Sequence, residues 1–278
     1  MTAEPHQQQT RGDRAAGPLS PAGPHCSGDP RRLPEVRAGQ APWTLMYHSV
    51  DDSREDPYQL TVTPARFARQ MAWLHRAGLR GVAMAELLAA HARGSAAGLV
   101  GLTFDDGYAD FVHQVLPVLE GYGYTATAYV VAGRLGSHNT WDADAPRKPL
   151  LTPDQVLAVA GRGVEIGSHG LNHRRLHGLD PRQLAVETRR SREVLEDLLG
   201  QPVAGFCYPY GAVDAAAVAA VRDSGYSHAV AIDHSALTGR WALPRCYVGD
   251  RDGPWRLRAK RARHRARALR RTDGRGTE

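Results

Sequence analysis

From Trp43 to about Val248 the chain repeats one alternation: a short apolar, β-rich run, then a stretch with helical spacing, then the next run. This rhythm constrains the fold more than any other feature. Strands separated by helices pair in parallel, because the crossover carries the chain back to the same end of the sheet. The strand candidates are "WTLMYHSV", "GVAM", "GLVGLTF", "TATAYVVAG", "VEIGSH", "VAGFCYPYG" and "SHAVAID". The first helix candidate follows Thr63, a potential cap, with Pro64 at its first position and Phe67, Met71 and Leu74 on one face. "ADFVHQVLPVLEGYG" is helical with Pro117 inside, which predicts a kink. A long amphipathic helix, "DPRQLAVETRRSREVLEDLLG", ends at Gly200. The number of units predicts an α/β fold, a distorted or incomplete (β/α) barrel, with its chemistry where strands run into loops.

Residues 1–42 are polar and rich in Pro, Gly and Arg, which predicts a disordered segment. The predicted domain spans 43–250, and 251–278 reads as a basic tail. The formal charge of +6 is uneven: from Arg251 onward there are 11 Lys and Arg against 3 Asp and Glu, a balance of +8 that leaves −2 for the rest. "RLRAKRARHRARALRR" reads as a solvated, partly helical tail, or as a weak contact for anionic lipid. No aromatic interleaving or fold motif supports nucleic-acid binding. Cys26, Cys207 and Cys246 are too widely spaced for a thiolate metal site or a disulfide framework. There is no apolar run of about 18 residues and no basic-then-apolar leader. The expected location is the cytoplasm or the inner membrane face, and the outside of the cell if the true start differs. Oligomeric state is not legible.

Three stretches at predicted strand ends carry candidate chemistry. In "LTFDDGY", Asp105 and Asp106 stand side by side before a glycine. A solvated turn explains this pattern, and so does a division of labour, with one carboxylate on a metal and the other handling a proton. In "GSHGLNH", His169 and His173 are four apart, and a helical turn would put both imidazoles on one side, as a metal pair requires. Two histidines and one carboxylate, from either aspartate, make a catalytic metal set with an open position. His177 reads as a surface residue. In "FCYPYG", Tyr208 and Tyr210 suit stacking on a sugar ring or plain packing, and Cys207 reads as a buried thiol rather than a nucleophile.

"TFDDGY", "GSHGLNH" and "FCYPYG", in this order, resemble the first three motifs of the polysaccharide deacetylases, the NodB-homology family or carbohydrate esterase family 4. The resemblance covers roughly Trp43 to Val248. It implies a metal-dependent deacetylase that hydrolyses N-acetyl groups of an amino-sugar polymer or oligosaccharide and releases acetate. It implies Asp105 as general base, Asp106, His169 and His173 as ligands to Zn2+ or another divalent ion such as Co2+, and the Tyr210 backbone N–H as oxyanion donor. Two departures stand out. Cys207 occupies the place where many members have an arginine that orients the base, and the late leucine–histidine motif has no convincing copy.

"LMYHSVDD" and "LPRCYV" resemble the subgroup that deacetylates poly-β-1,6-N-acetylglucosamine. There an early histidine takes the acid's place, which implies His48 as general acid, and Arg245 as a residue that contacts substrate or braces the site. Asp233 and Trp241 fall where the fourth motif belongs but match it poorly. Two other readings fit the same residues: a metallohydrolase acting on a small glycosylated metabolite or other amide, and a non-catalytic carbohydrate-binding protein of the same fold. The intact Asp-Asp and His-x-x-x-His argue against the last.

Overall fold

The structure, a computed structural model, describes residues 41–52 and 55–273. The segment read as disordered lies outside the described residues except at its last positions, where Ala41 is already buried. The elements in chain order are β1 (Thr44–Tyr47), β2 (Ser49–Val50), β3 (Thr61–Val62), α1 (Pro64–Arg76), β4 (Arg80–Val82), α2 (Met84–Ala92) and β5 (Leu99–Phe104). Then come α3 (Leu116–Gly121), β6 (Thr127–Val130), α4 (Pro153–Gly161), β7 (Glu165–Ser168), α5 (Pro181–Ala185) and α6 (Ser191–Leu199). The last are β8 (Gly205–Cys207), α7 (Ala215–Asp223), β9 (His228–Val230), β10 (Cys246–Tyr247) and α8 (Pro254–Asp273).

The main sheet is parallel throughout, in the order β10-β1-β5-β6-β7-β8-β9, with β4 pairing the first half of β5. The segment from Leu243 to Tyr247 pairs β9 at its start, through Leu243 and Val230, and β1 at its end, through Cys246 and Leu45. The two edges of the sheet therefore share one extended segment, and the sheet curls into a distorted barrel. This is the predicted architecture. The small β2–β3 pair sits apart from it and was not foreseen.

Strand alternation sorts the core into two layers. Leu45, Tyr47, Leu102, Phe104, Ala128, Val130 and Phe206 face the helices in the larger cluster. Tyr129, Cys207, Val230 and Leu243 belong to a second, smaller cluster that includes the start of α2. Close approach inside the second layer demands missing side chains: a Cβ on Gly167 would lie 2.4 Å from the Tyr129 ring.

Three local expectations changed. Thr63 makes no side-chain cap to α1; its hydroxyl and N–H both donate to Asp250 Oδ1. The proline in the Phe111 helix is accommodated by a π turn, Phe111–Val115, ahead of α3, since Pro117 offers no N–H to the helical ladder. The basic tail is not free of the body. It forms α8, where Leu257 is fully buried, Lys260 pairs with Asp252, Arg261 lies over the Trp43 ring and His264 Nε2 is 2.9 Å from the Ala41 carbonyl oxygen. Its charge hides one apolar anchor, which the composition of the segment obscured.

Two outcomes follow from this packing. Leu257→Ala should destabilise the protein by about 2–5 kcal/mol in urea unfolding, whereas a solvated tail would register no change. Asp110 accepts from Ser49 Oγ and the Val50 N–H. Burial pushes its carboxyl up from 3.8 to about 6, against those hydrogen bonds and the charge of Lys148. Between those two values the native state holds more protons than the unfolded chain, so this group makes stability fall as pH rises from roughly 4 to 6. In Asp110→Asn that part of the slope of Tm against pH should vanish.

Candidate active site

A cleft of about 560 Å³ opens at the C-terminal ends of the strands. His48 follows β1, Asp105 and Asp106 follow β5, His169 and His173 follow β7, and Tyr208 to Tyr210 follow β8, so the parallel sheet delivers every predicted motif to one mouth.

Asp106 Oδ1 is buried without a well-formed hydrogen bond, although His169 Nε2 stands 3.3 Å away and His173 Nε2 3.2 Å away. Asp106, His169 and His173 each offer a ligand atom, all within 4.8 Å of one another. Convergence of one carboxylate oxygen and two imidazole nitrogens, with no hydrogen bond in line, suits a divalent cation. The outer contacts agree. His169 Nδ1 is 2.8 Å from the Cys207 carbonyl oxygen, an arrangement that fixes the ring and turns Nε2 toward Asp106. Burial lowers His173 and outweighs the pull of Asp106, so the ring stays in its neutral, ligating form. Burial opposes charge on His169, but Cys207, Asp106 and Asp105 outweigh it and hold that imidazole well above its ordinary value. A bound cation would displace that proton.

The histidine spacing works differently from the expected helical turn. Residues 169–173 form a loop, in which Gly170 takes φ 80° and His173 itself takes φ 58°. Glu187, buried in the π turn Val186–Arg190, holds this loop: its carboxylate accepts from the N–H groups of Leu171 and Asn172 and from Asn172 Nδ2. Glu187 carried no local signal, because on the chain it is one more acid on an amphipathic helix. Four described non-glycine residues have positive φ, and Asp106 (71°), His173 (58°) and Tyr210 (59°) are three of them. Strain of this kind is sustained where the surroundings over-determine the backbone.

Asp105 is 3% exposed and is gripped by Arg245: Nη1 donates to Oδ1 at 2.6 Å and Nη2 to Oδ2 at 2.7 Å. Burial alone would raise Asp105, but the charge and hydrogen bonds of Arg245 outweigh it and hold the carboxyl below its usual range. The Cys207 thiol donates to Asp105 Oδ2 at 3.4 Å, and Arg245 Nη2 lies 3.1 Å from its sulfur. Burial pushes this thiol up more than Arg245 draws it down, so it stays protonated, as expected of a buried cysteine. His48 lines the cleft, its Nε2 3.9 Å from Asp105 Oδ2.

For Arg245 and Tyr208 the structure favours the second of the two roles left open. The Arg245 side chain is inaccessible and bound to Asp105, Thr103 Oγ1 and the Ala231 carbonyl, so it braces Asp105 from behind the cleft. Tyr208 is 1% exposed, packs edge-on to Phe206 and donates its hydroxyl to the Trp241 carbonyl, so it is part of the core at the cleft floor. Tyr210, 44% exposed with Arg175 over its ring, is the tyrosine of this pair that faces the opening. His177 is exposed beside Asp214, as expected. Trp141 was missed; it stacks on His173 at 4.2 Å between centroids. A tryptophan in the polar stretch "NTWDAD" was the available signal.

Removing Arg245 isolates a buried carboxylate. Arg245→Met should cost about 3–5 kcal/mol in urea unfolding, and Asp105→Asn in the same chain should recover part of that loss. A single variant as stable as the parent would exclude the brace.

A sequence model of the family described as polysaccharide deacetylase matches residues 93–229. Bacillus subtilis (strain 168) YxkH, named as a polysaccharide deacetylase, is 30% identical over 209 residues, covering 73% of this chain and 70% of that protein. The poly-beta-1,6-N-acetyl-D-glucosamine N-deacetylase of Escherichia coli (strain K12) is 31% identical over 156 residues, 50% of this chain but only 23% of that enzyme. Among solved structures, the Streptococcus pyogenes deacetylase PplD in complex with acetate superposes with TM-score 0.68 at 25% identity, covering 79% of this chain and 97% of that one. IcaB from Ammonifex degensii gives TM-score 0.62 at 22% identity, covering 80% and 97%, a likeness of fold. The chain is a hydrolase that belongs to the polysaccharide deacetylase family.

Proposed function

We propose that the protein is a metal-dependent N-deacetylase of an amino-sugar oligomer or polymer. One observation carries the reading: a buried Asp106–His169–His173 set stands beside a second carboxylate, Asp105, that is locked in its ionised form by Arg245. A divalent cation, with zinc first and cobalt as an alternative, would supply positive charge that polarises the acetyl carbonyl and acidifies water.

The chain's own residues divide the remaining work. Asp106, His169 and His173 hold the cation. Asp105 takes the proton from the attacking water, and the fixed guanidinium behind it keeps its oxygens in place. The Tyr210 N–H donates to the carbonyl oxygen as charge gathers there; the left-handed backbone at this residue matches a site built for one orientation. His48, lining the cleft, delivers a proton to the departing amine nitrogen, so acetate and a free amino sugar result. The exposed face of Tyr210 and the neighbouring Trp141 suit the apolar face of a sugar ring. The E. coli relative's name supports a β-linked N-acetylglucosamine polymer as the substrate class.

Metal content and acetate release from N-acetylglucosamine oligomers test the division of roles. Asp106→Ala should purify without metal and without activity. Asp105→Asn should keep the metal and lose about 10²–10⁴ in kcat. Loss of metal from both variants, or activity retained in either, would contradict the assignment.

A further inference from the structure

Next to the active cleft lies a second cavity of about 540 Å³. One wall is a single face of α8: Arg256, Ala259, Lys260 and Arg263, at i, i+3, i+4 and i+7. The opposite wall is the strip through Asp56 and Gln59 to Thr63, and Tyr247 lines both this cavity and the active cleft. The two spaces meet at Tyr247, whose hydroxyl donates to the Gln59 carbonyl.

The lining carries four cations, Arg251, Arg256, Lys260 and Arg263, against three carboxylates. The carboxylates are engaged inward. Asp56 accepts from the N–H groups of Leu60 and Thr61, Asp250 from the N–H and hydroxyl of Thr63, and Asp252 from the Gly249 N–H and from Lys260. Arg251, Arg256 and Arg263 are exposed, and none of the described ion pairs includes them. Ala259 between them leaves room for a ligand to approach the helix.

Building on the deacetylase reading, we propose that this cavity is an anion subsite, and that the substrate is an acidic glycan. A carboxylate or phosphate on a sugar neighbouring the N-acetylated one lies against Arg256 and Arg263. Planar guanidinium groups suit both anions, because their paired N–H donors match two oxygens. The subsite selects substrate and takes no part in bond breaking.

The test uses the full chain and two hexasaccharides, one alternating N-acetylglucosamine with glucuronate and one of N-acetylglucosamine alone. Calorimetric affinity is read beside acetate release. The acidic hexasaccharide should bind about tenfold more tightly, and Arg256→Gln/Arg263→Gln should abolish that advantage while leaving the neutral affinity unchanged. Arg256→Lys/Arg263→Lys should restore part of it. Equal affinity for the two saccharides in the parent, or equal loss for both in the Gln variant, overturns the subsite. So does binding of the parent to phosphatidylglycerol vesicles that depends on the two arginines while the acidic saccharide shows no advantage, since a lipid surface would then be the ligand. An arginine-dependent acidic preference without acetate release from either saccharide would uphold the subsite and sink the deacetylase reading. Acetate release with no acidic preference would do the reverse.

Discussion

The buried pair between Asp105 and Arg245 is the contact on which the site depends. Its partners are far apart in sequence, and each lies at a structural junction. Asp105 directly follows β5, and Arg245 rides the segment that joins β9 to β1. A desolvated carboxylate needs a strong partner, and a desolvated guanidinium needs the same in return. The seam of the barrel and the charge state of Asp105 thus meet in one contact. The Cys207 thiol completes the packing around it, donating to the same carboxylate oxygen that Arg245 Nη2 holds.

Around this pair the backbone is bent into conformations that side chains disfavour. Asp106, His173 and Tyr210 all take left-handed geometry, and Glu187 ties the loop of His169 and His173 from behind with three hydrogen bonds. Such constraint holds Asp106, His173 and the Tyr210 N–H at fixed positions. Trp141 and Tyr210 flank His173 with their rings, which shields the set from one side.

Much was legible along the chain because it depends on local order. The strand–helix rhythm and Gly200 at the end of α6 are short-range signals, and the rhythm suffices for a parallel α/β barrel. The adjacent Asp105 and Asp106, and the histidines after β7, were readable for the same reason. Where the reading missed, the deciding partner lay elsewhere in the sequence. Thr63 bonds to Asp250, Leu257 is buried against the body, and Tyr208 gives its hydroxyl to Trp241. None of these partners can be read from neighbouring residues.

The sequence alone determined which residue types meet at the mouth of the barrel, since strand ends in a parallel sheet share one side. Tertiary structure decided what those residues touch. The arginine missing before Pro209 was visible in the sequence, and Arg245 was a candidate brace; that it grips Asp105 was not visible. Pairing across a barrel seam is set by closure of the sheet, a long-range event that no local pattern encodes. For the same reason the sequence could name a basic tail, but only packing showed it to be the wall of a second cavity beside the first.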